Sequence, residues 1–269
     1  MIRGPGVDLH VHILPGVDDG PATPGESIAL GRLLATDGTG WAVATPHVRE
    51  LDTQSIPERV RELQLLFERE RVPVGLIPGG EVDLASAAEL SAAALEGVAQ
   101  GPAGRRWILL EAPLGPTAAR AVLESAAMLR SRGFGSVIAH PERSPALMGD
   151  RGAALRRLVQ AGCRVQVSAS SLLGGHGGAA RRAAWALLRS GLTHAVASDA
   201  HSRARPPRLA EAAKAAAAEG LPPAFLRRVF RDGPLALVQT GVSSTGACTA
   251  DAAGAADSTA LPSASANRA

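Results

Sequence analysis

The sequence predicts an α/β protein that folds as a (β/α) barrel. Short apolar runs bounded by glycine and proline alternate along the chain with longer segments of helical spacing, and this alternation is typical of βα units around a parallel sheet. Histidines and carboxylates stand at or just beyond the carboxyl end of most of these runs. In a (β/α) barrel those ends converge on one face, whereas an open sheet spreads them along an edge, so the polar residues favour the barrel.

Seven runs rich in branched apolar residues are the candidate strands, and each is bounded by turn-forming residues. In chain order they cover residues 7–13, 40–47, 72–82, 105–113, 135–143, 163–170 and 193–201. Between them, apolar residues recur at helical spacing. This spacing predicts helices over residues 26–34, 57–69, 117–130, 153–160, 179–188 and 207–218.

A chain of 269 residues with 46% hydrophobic content can bury the core of a single domain of this kind. From about Val242 onward the chain is rich in Ser, Ala, Gly and Thr and has almost no large apolar residue. Such a segment cannot bury enough surface to offset the cost of ordering. The sequence therefore predicts one domain over residues 1–241 and a disordered, low-complexity tail over residues 242–269.

Composition excludes several classes of protein. Cys163 and Cys248 are too few and too far apart for a disulfide framework, and no apolar run approaches the length of a membrane span. The first residues lack the pattern of a secretory signal, so we expect a cytoplasmic protein without membrane insertion. The formal net charge of +3 is spread over many arginines, which does not indicate a nucleic-acid partner. The oligomeric state stays open.

The first strand ends in "DLHVHILPGVDDG", which contains the clearest metal-binding signal. His10 and His12 are two positions apart on a strand, so both imidazoles point to the same side and can share one ion. Asp18 and Asp19 follow in a Pro-Gly and Asp-Gly turn, where aspartate is also an ordinary turn residue. We favour Asp19 as a ligand, and Asp18 is the alternative.

Further candidate ligands follow the next strands. His47 ends "ATPH", Glu81 follows two glycines in "GGEVD", and Glu111 leaves a wholly apolar run in "ILLEAP". A carboxylate in such a place needs a partner if it is buried, and a metal ion supplies one. Asp83, two residues after Glu81, is expected to be exposed.

The last two motifs combine metal ligands with arginines. "AHPER" contains His140 and Arg143, and "ASDAHSRARPP" contains the alternate pair Asp199 and His201, followed by Arg205. An arginine within reach of a cation site is suited to hold a phosphate. The alternatives are a surface pair of Glu142 with Arg143 and an ordinary solvated arginine at position 205.

No thiolate belongs to this set, and imidazole with carboxylate suits Mn²⁺, Fe²⁺ or Zn²⁺. Two divalent ions would neutralise the four candidate carboxylates. Three ions would leave the site with a net positive charge, which favours the binding of a phosphate dianion.

In their order and spacing, "DLHVHILPGVDDG", "ATPH", "GGEV", "LLEAP", "AHPER" and "ASDAH" resemble the polymerase and histidinol phosphatase (PHP) superfamily. Between about Val7 and Val238 they resemble its bacterial manganese-dependent protein-tyrosine phosphatases, which regulate capsule and exopolysaccharide synthesis. The resemblance implies a distorted, seven-stranded (β/α) barrel like that of triosephosphate isomerase. It also implies three metal ions, most commonly manganese. The sequence departs from the family at Ala112 and Ser144, where the family usually has aromatic residues, and this affects expected substrate contacts.

The resemblance also implies ligand groups. His10, His12 and Asp199 would hold one ion. Glu81 would bridge from it to a second ion, which Glu111 and His140 would also hold. A third ion would be held by Asp19, His47 and His201. Arg143 and Arg205 would bind phosphate. The implied reaction is phosphomonoester hydrolysis of a phosphotyrosine protein, typically the tail of a bacterial tyrosine kinase. The rival functions are a small-molecule phosphatase, such as one for histidinol phosphate, and a non-catalytic binding module.

Overall fold

The computed structural model describes residues 6–115 and 117–242, and the paired strands run parallel. They form two sheets, in the orders β1-β2-β3 and β4-β5-β6-β7-β8. The strands are β1 (Gly6–Val11), β2 (Thr39–Ala44), β3 (Gly75–Pro78), β4 (Glu81–Val82), β5 (Trp107–Glu111), β6 (Gly135–Ala139), β7 (Arg164–Ser168) and β8 (Ala195–Ala197).

The expected count of seven strands in one barrel is therefore wrong for the described residues, because the third predicted run is divided. Gly79 and Gly80 separate β3, which pairs with β2, from β4, which pairs with β5. A Cβ on Gly80 would lie 2.7 Å from Val48 Cγ1 and 2.8 Å from Val98 Cγ1. The missing side chain thus permits the close approach that lets the chain pass from one sheet to the other.

Single backbone bridges join the two sheets at both of their shared edges. At one edge, His12 N donates to Ala200 O at 2.9 Å, and at the other, Glu81 N donates to Pro46 O at 3.0 Å. The first bridge lies just beyond the carboxyl ends of β1 and β8, and the second joins the segment after β2 to the start of β4. They bring the predicted polar motifs of the two sheets to one face.

Twelve α-helices follow or separate the strands among the described residues, and six of them match predicted helices to within two residues at each end. The other six have four to eight residues and were not predicted. The helices are α1 (Pro24–Thr36), α2 (Ile56–Arg69), α3 (Leu84–Glu89), α4 (Ala92–Val98), α5 (Ala119–Ser131), α6 (Pro145–Met148), α7 (Ala153–Gln160), α8 (Ala169–Leu172), α9 (Gly177–Arg189), α10 (Leu209–Ala218), α11 (Pro223–Arg227) and α12 (Gly233–Thr240).

Asp83 has a structural role that the sequence analysis did not assign to it. Its Oδ1 accepts hydrogen bonds from Ala85 N at 2.8 Å and Ser86 N at 3.0 Å, so it caps the first turn of α3. The expectation that Asp83 is simply exposed is wrong.

Two apolar clusters hold the fold together. The larger one lies between the sheets and the surrounding helices, and the smaller one collects alternate strand residues such as Leu9, Trp107 and Leu109. Trp107 Nε1 donates to Leu237 O at 2.8 Å, which fixes α12 across the amino ends of the strands. The opposite face, at the carboxyl ends, is left for the polar residues.

None of the described helices has the length and apolar content needed to cross a membrane. The predicted tail lies outside the described residues, except for Val242. Val242 N donates to Arg105 O at 3.0 Å.

Candidate metal centre

The structure brings the predicted histidines and carboxylates together at the carboxyl ends of the strands. Most of them are buried, whereas Asp19 is exposed and His47 and Glu111 are half-buried. They come from the ends of β1, β2, β5, β6 and β8, the start of β4 and the turn after β1. Both predicted arginines lie at the same face.

Glu81 is the centre of this cluster. Its Oε2 lies 3.2 Å from His10 Nε2, 3.3 Å from His12 Nε2 and 3.3 Å from His47 Nδ1, while its Oε1 lies 2.8 Å from His140 Nε2. Burial alone would raise the pKa of Glu81, but the charge of His10 and the hydrogen bonds from the imidazoles hold it well below its usual range. A carboxylate shared in this way can bridge two cations.

A second group surrounds Asp19. Its Oδ1 lies 3.1 Å from His201 Nε2, 3.7 Å from His47 Nε2 and 3.9 Å from His12 Nδ1. The rings of His12 and His201 stack with their centroids 3.8 Å apart. Burial, and then the charge of His12, lowers the pKa of His201 to about 4, so its imidazole is neutral near pH 7 and can act as a ligand.

Asp18 has a different role from Asp19. Its Oδ2 accepts from His12 Nδ1 at 2.6 Å and from His47 N at 3.0 Å, and its Oδ1 accepts from Gly20 N at 2.9 Å. Both oxygens are therefore engaged by the protein, whereas Asp19 projects towards the imidazoles. Asp18 orients His12 and fixes its tautomer, as a carboxylate behind a metal-binding histidine does. The geometry favours Asp19 as the ligand.

Burial would lower the pKa of His12, but its hydrogen bonds to the Asp18 and Glu81 carboxylates and the negative charges of these groups raise it to about 10. A proton held this firmly shows how strongly the surrounding carboxylates attract positive charge. A divalent cation would take the place of such protons.

Asp199 connects the cluster to both arginines. Its Oδ1 lies 3.5 Å from His10 Nε2 and 3.6 Å from His12 Nε2, and its Oδ2 accepts from Arg143 Nη1 at 2.9 Å. Arg205 Nη2 lies 3.7 Å from the same Oδ2, and Arg205 Nη1 donates to Asp19 Oδ2 at 3.0 Å. Arg205 is therefore no freely solvated residue, although its side chain is 42% exposed.

The backbone is strained at two of these positions. His140 has φ 33° and Asp199 has φ 55°, and both follow directly on the carboxyl end of a strand or one residue beyond it. A positive φ is uncommon for residues other than glycine and is concentrated at functional sites. The surrounding fold holds these two side chains towards the cluster at a cost in backbone energy.

Three groups have ligand atoms within 4.8 Å of one another, and they differ in composition from the groups that the resemblance implied. Glu81 and His12 each belong to two groups, and His47 also belongs to two. The groups are His12 with Asp19, His47 and His201; His10 with His12 and Glu81; and His47 with Glu81 and Glu111.

The donor set fits divalent cations. Burial and the nearby charge of Glu81 raise the pKa of Glu111, because two carboxylates face each other there. His140 Nδ1 and His201 Nε2 are buried without a hydrogen bond of good geometry. Facing carboxylates and unsatisfied imidazole nitrogens are costly in a protein interior, and bound cations remove this cost.

Sequence reasoning missed two supporting residues. Gln166 Oε1 lies 3.1 Å from His10 Nδ1, and a polar residue inside the apolar run of β7 was its only signal in the sequence. Glu142 is buried, and its Oε1 accepts from Ser168 N at 2.9 Å. The alternative of a surface pair between Glu142 and Arg143 is therefore wrong.

The fold and the cluster define the class: an α/β protein with a cluster of potential metal ligands at the carboxyl ends of parallel strands. Residues 6–239 match the sequence model of the CpsB/CapC family of capsular polysaccharide synthesis. The chain belongs to this family, and the resemblance that the motifs indicated is confirmed.

Curated relatives carry names of the same kind. The chain is 31% identical over 202 residues to tyrosine-protein phosphatase YwqE of Bacillus subtilis, which covers 73% of this chain and 77% of that protein. It is 31% identical over 206 residues to the putative tyrosine-protein phosphatase CapC of Staphylococcus aureus, with the same two shares of 73% and 77%.

Solved structures agree with this family. A crystal structure from the pair YwqE of Bacillus subtilis and CpsB of Streptococcus pneumoniae, described as metal-dependent tyrosine phosphatases, superposes with a TM-score of 0.72 at 27% identity. The match covers 82% of this chain and 90% of the other. The phosphotriesterase homology protein of Escherichia coli shares only the fold, with a TM-score of 0.58 at 14% identity. That match covers 86% of this chain and 97% of the other.

Proposed function

We propose that this chain is a metal-dependent phosphomonoesterase that hydrolyses phosphotyrosine in a protein, with a kinase of capsule or exopolysaccharide synthesis as the substrate. The observation that carries the proposal is the convergence of a histidine and carboxylate cluster with two arginines on Asp199. The family and the names of the relatives support the choice of tyrosine phosphate.

Nine side chains are proposed to hold the ions: three carboxylates and four histidines of the three groups, together with His140 and Asp199. Three manganese ions fit this number of donors, and iron or zinc would be accepted by the same atoms. When bound, the ions supply Lewis acidity towards the phosphate oxygens and lower the pKa of water. The ligands are His10, His12, Asp19, His47, Glu81, Glu111, His140, Asp199 and His201.

The two arginines are proposed to bind the phosphate group of the substrate. The Arg143 side chain is 18% exposed, so its guanidinium lies at the border between the buried cluster and solvent. A guanidinium fork matches two oxygens of a phosphate. Arg205 stands on the more exposed side and closes the phosphate site towards Asp19. Together they neutralise charge that develops on the phosphate oxygens.

The remaining residues orient the cluster. Asp18 and Gln166 hold the outer nitrogens of His12 and His10, so the Nε2 atoms of both rings point inward. Water attacks phosphorus in line with the tyrosine oxygen, and no cysteine or other side-chain nucleophile is required. We further propose that the two sheets act as one distorted barrel around this site. We also propose that the protein is cytoplasmic and that its substrate is the tail of a bacterial tyrosine kinase.

The experiment that tests the proposed function compares two substrates. Phosphate release by the manganese-loaded protein is measured with a phosphotyrosyl peptide and with histidinol phosphate, using His140→Ala as the control. We expect turnover of the peptide, lost in the control. Preference for histidinol phosphate would contradict the assignment to protein phosphotyrosine, and absence of turnover with both would favour a binding module.

A further inference from the structure

The carboxyl end of β7 supplies no candidate ligand. β7 is followed directly by α8 and then by a short loop that carries His176. The half-buried His176 lies on the same face as the cluster, because α9, which starts next to it, packs against the turn of residues 141–143. Of the histidines close to the site, His176 is the one that the proposed metal centre does not use.

His176 is held in place by a buried hydroxyl. Its Nδ1 lies 3.0 Å from Ser171 Oγ, and Ser171 is fully buried. Burial raises the pKa of Glu142, and the nearby charge of His140 and the Ser171 hydroxyl oppose this rise, while Glu142 Oε2 has no hydrogen-bond partner of good geometry. A hydroxyl proton directed at Glu142 leaves Ser171 Oγ free to accept from His176 Nδ1–H. This arrangement leaves Nε2 for a ligand.

The charges that act on His176 belong to the proposed phosphate site. Burial first, and then the positive charge of Arg143, lowers the pKa of His176 to about 4; His140 and Arg205 lower it further, and Asp199 opposes them. Glu142 lies behind Ser171. The imidazole therefore shares an electrostatic environment with both arginines.

We propose that His176 is a further catalytic residue, which donates a proton from Nε2 to the ester oxygen that leaves phosphorus. The proposal rests on the proposed phosphatase function. In this step the water oxygen forms a bond to phosphorus as the bond from phosphorus to the tyrosine oxygen breaks. The electron pair of the broken bond stays on the tyrosine oxygen, which takes the proton from Nε2. The attacking water loses one proton to solvent, and solvent returns one to His176.

The bound substrate supplies the charge that this role requires. A phosphate dianion between Arg143 and His176 offsets the positive charge of the arginine and favours the protonated imidazole. The chain from Nδ1 through Ser171 to Glu142 stabilises the same positive charge. His176 is thus neutral in the free protein and becomes an acid when the phosphate site is filled.

The first test uses the leaving group. The variant His176→Gln is compared with the wild type on a phosphotyrosyl peptide, which releases a phenol with a pKa of about 10, and on p-nitrophenyl phosphate, which releases a much weaker base. We expect kcat to fall about 100-fold on the peptide, in the range of general acid catalysis, and much less on p-nitrophenyl phosphate. An equal loss on both substrates, or no loss, would overturn the proposal.

Two further variants serve as controls. His194→Gln removes another histidine whose pKa is lowered to about 4, but this one contacts Val165 N and Arg164 next to the amino end of β8. It should leave both rates unchanged. Ser171→Ala keeps the imidazole but removes its partner, and should show the same substrate dependence with a smaller loss.

The second test does not depend on turnover. The imidazole nitrogens of His176 are titrated by NMR in the magnesium-loaded protein, with and without inorganic phosphate. We expect phosphate to raise the pKa of His176 and to leave that of His194 unchanged. An unchanged His176 would overturn the inference while the proposed function stood, whereas a wild-type protein inactive on all aryl phosphates would refute both.

Discussion

Replacing Asp18 by asparagine tests the assignment of Asp18 and Asp19 to different roles. The carboxylate of Asp18 accepts three hydrogen bonds, two of them at Oδ2 from His12 Nδ1 and His47 N and one at Oδ1 from Gly20 N. An amide has one oxygen and one NH₂ group, so it cannot accept at both positions. Whichever way the amide turns, an N–H donor of the site faces another donor.

The magnitude follows from the lost charge-assisted hydrogen bond. Hydrogen bonds to charged groups contribute about 1.5–3 kcal/mol, and partners behind a metal ligand typically change metal affinity by about 10- to 100-fold. These two ranges agree, because a tenfold change in affinity corresponds to about 1.4 kcal/mol. We expect Asp18→Asn to weaken manganese binding by this factor and to recover most of its activity when manganese is raised to saturation.

Isothermal titration of the chelator-treated protein with manganese measures the affinity, and the rate at saturating manganese measures what is recovered. Asp19→Asn is the matched control on the neighbouring residue, and it should stay impaired at any manganese concentration because a direct ligand is lost. Circular dichroism during heating checks that both variants fold. If Asp18→Asn stays inactive at saturation while Asp19→Asn recovers, the two roles must be exchanged.

Three further predictions concern residues around the site and in the fold. His140→Ala should abolish turnover without changing the circular dichroism spectrum; near-full activity would contradict its place among the ligands. Arg143→Lys should reduce kcat/KM by about 10- to 100-fold, because lysine keeps the positive charge but lacks the forked guanidinium group. Arg205→Lys should reduce kcat/KM by a smaller factor, because Arg205 is more exposed. The reverse order in steady-state kinetics would refute this ranking. Burial is the main cause that lowers the pKa of His194 to about 4. His194 therefore binds a proton more weakly in the folded chain than in the unfolded chain. The free energy of unfolding should fall by about 1–3 kcal/mol from this group as the pH drops from about 7 to about 4. Urea titrations at both pH values should show a smaller fall in His194→Gln; an equal fall in the variant would exclude this contribution.

The fold class was predictable because apolar periodicity records which faces are buried. The six predicted helices were found to within two residues at each end, since each has an apolar stripe and more than one turn. The division of the third strand was not found, because a run of apolar residues with two glycines looks continuous in sequence. Only the pairing of β3 with β2 and of β4 with β5 shows that the chain changes sheets there. Short helices such as α3 and α4 lack the length over which periodicity can be recognised.

The candidate site was predictable to a similar degree and for a related reason. Parallel strands place their carboxyl ends on one face, so a polar residue after an apolar run is informative even when its neighbours in space are unknown. What could not be predicted is which side chains support the cluster from behind. Gln166 reaches His10 from another strand, and Ser171 meets His176 across a turn of the chain. Such pairs depend on the packing of the strands, which a single sequence does not record.

The central claim, a metal-dependent phosphotyrosine phosphatase at this cluster, is tested most directly by one titration. The protein is freed of metal with a chelator, and the initial rate of phosphate release from a phosphotyrosyl peptide is measured as manganese is added back. We predict no release without metal and a rate that rises with manganese until the site is filled, with His140→Ala inactive throughout. Full activity of the chelator-treated protein, or no activity at any manganese concentration, would contradict it.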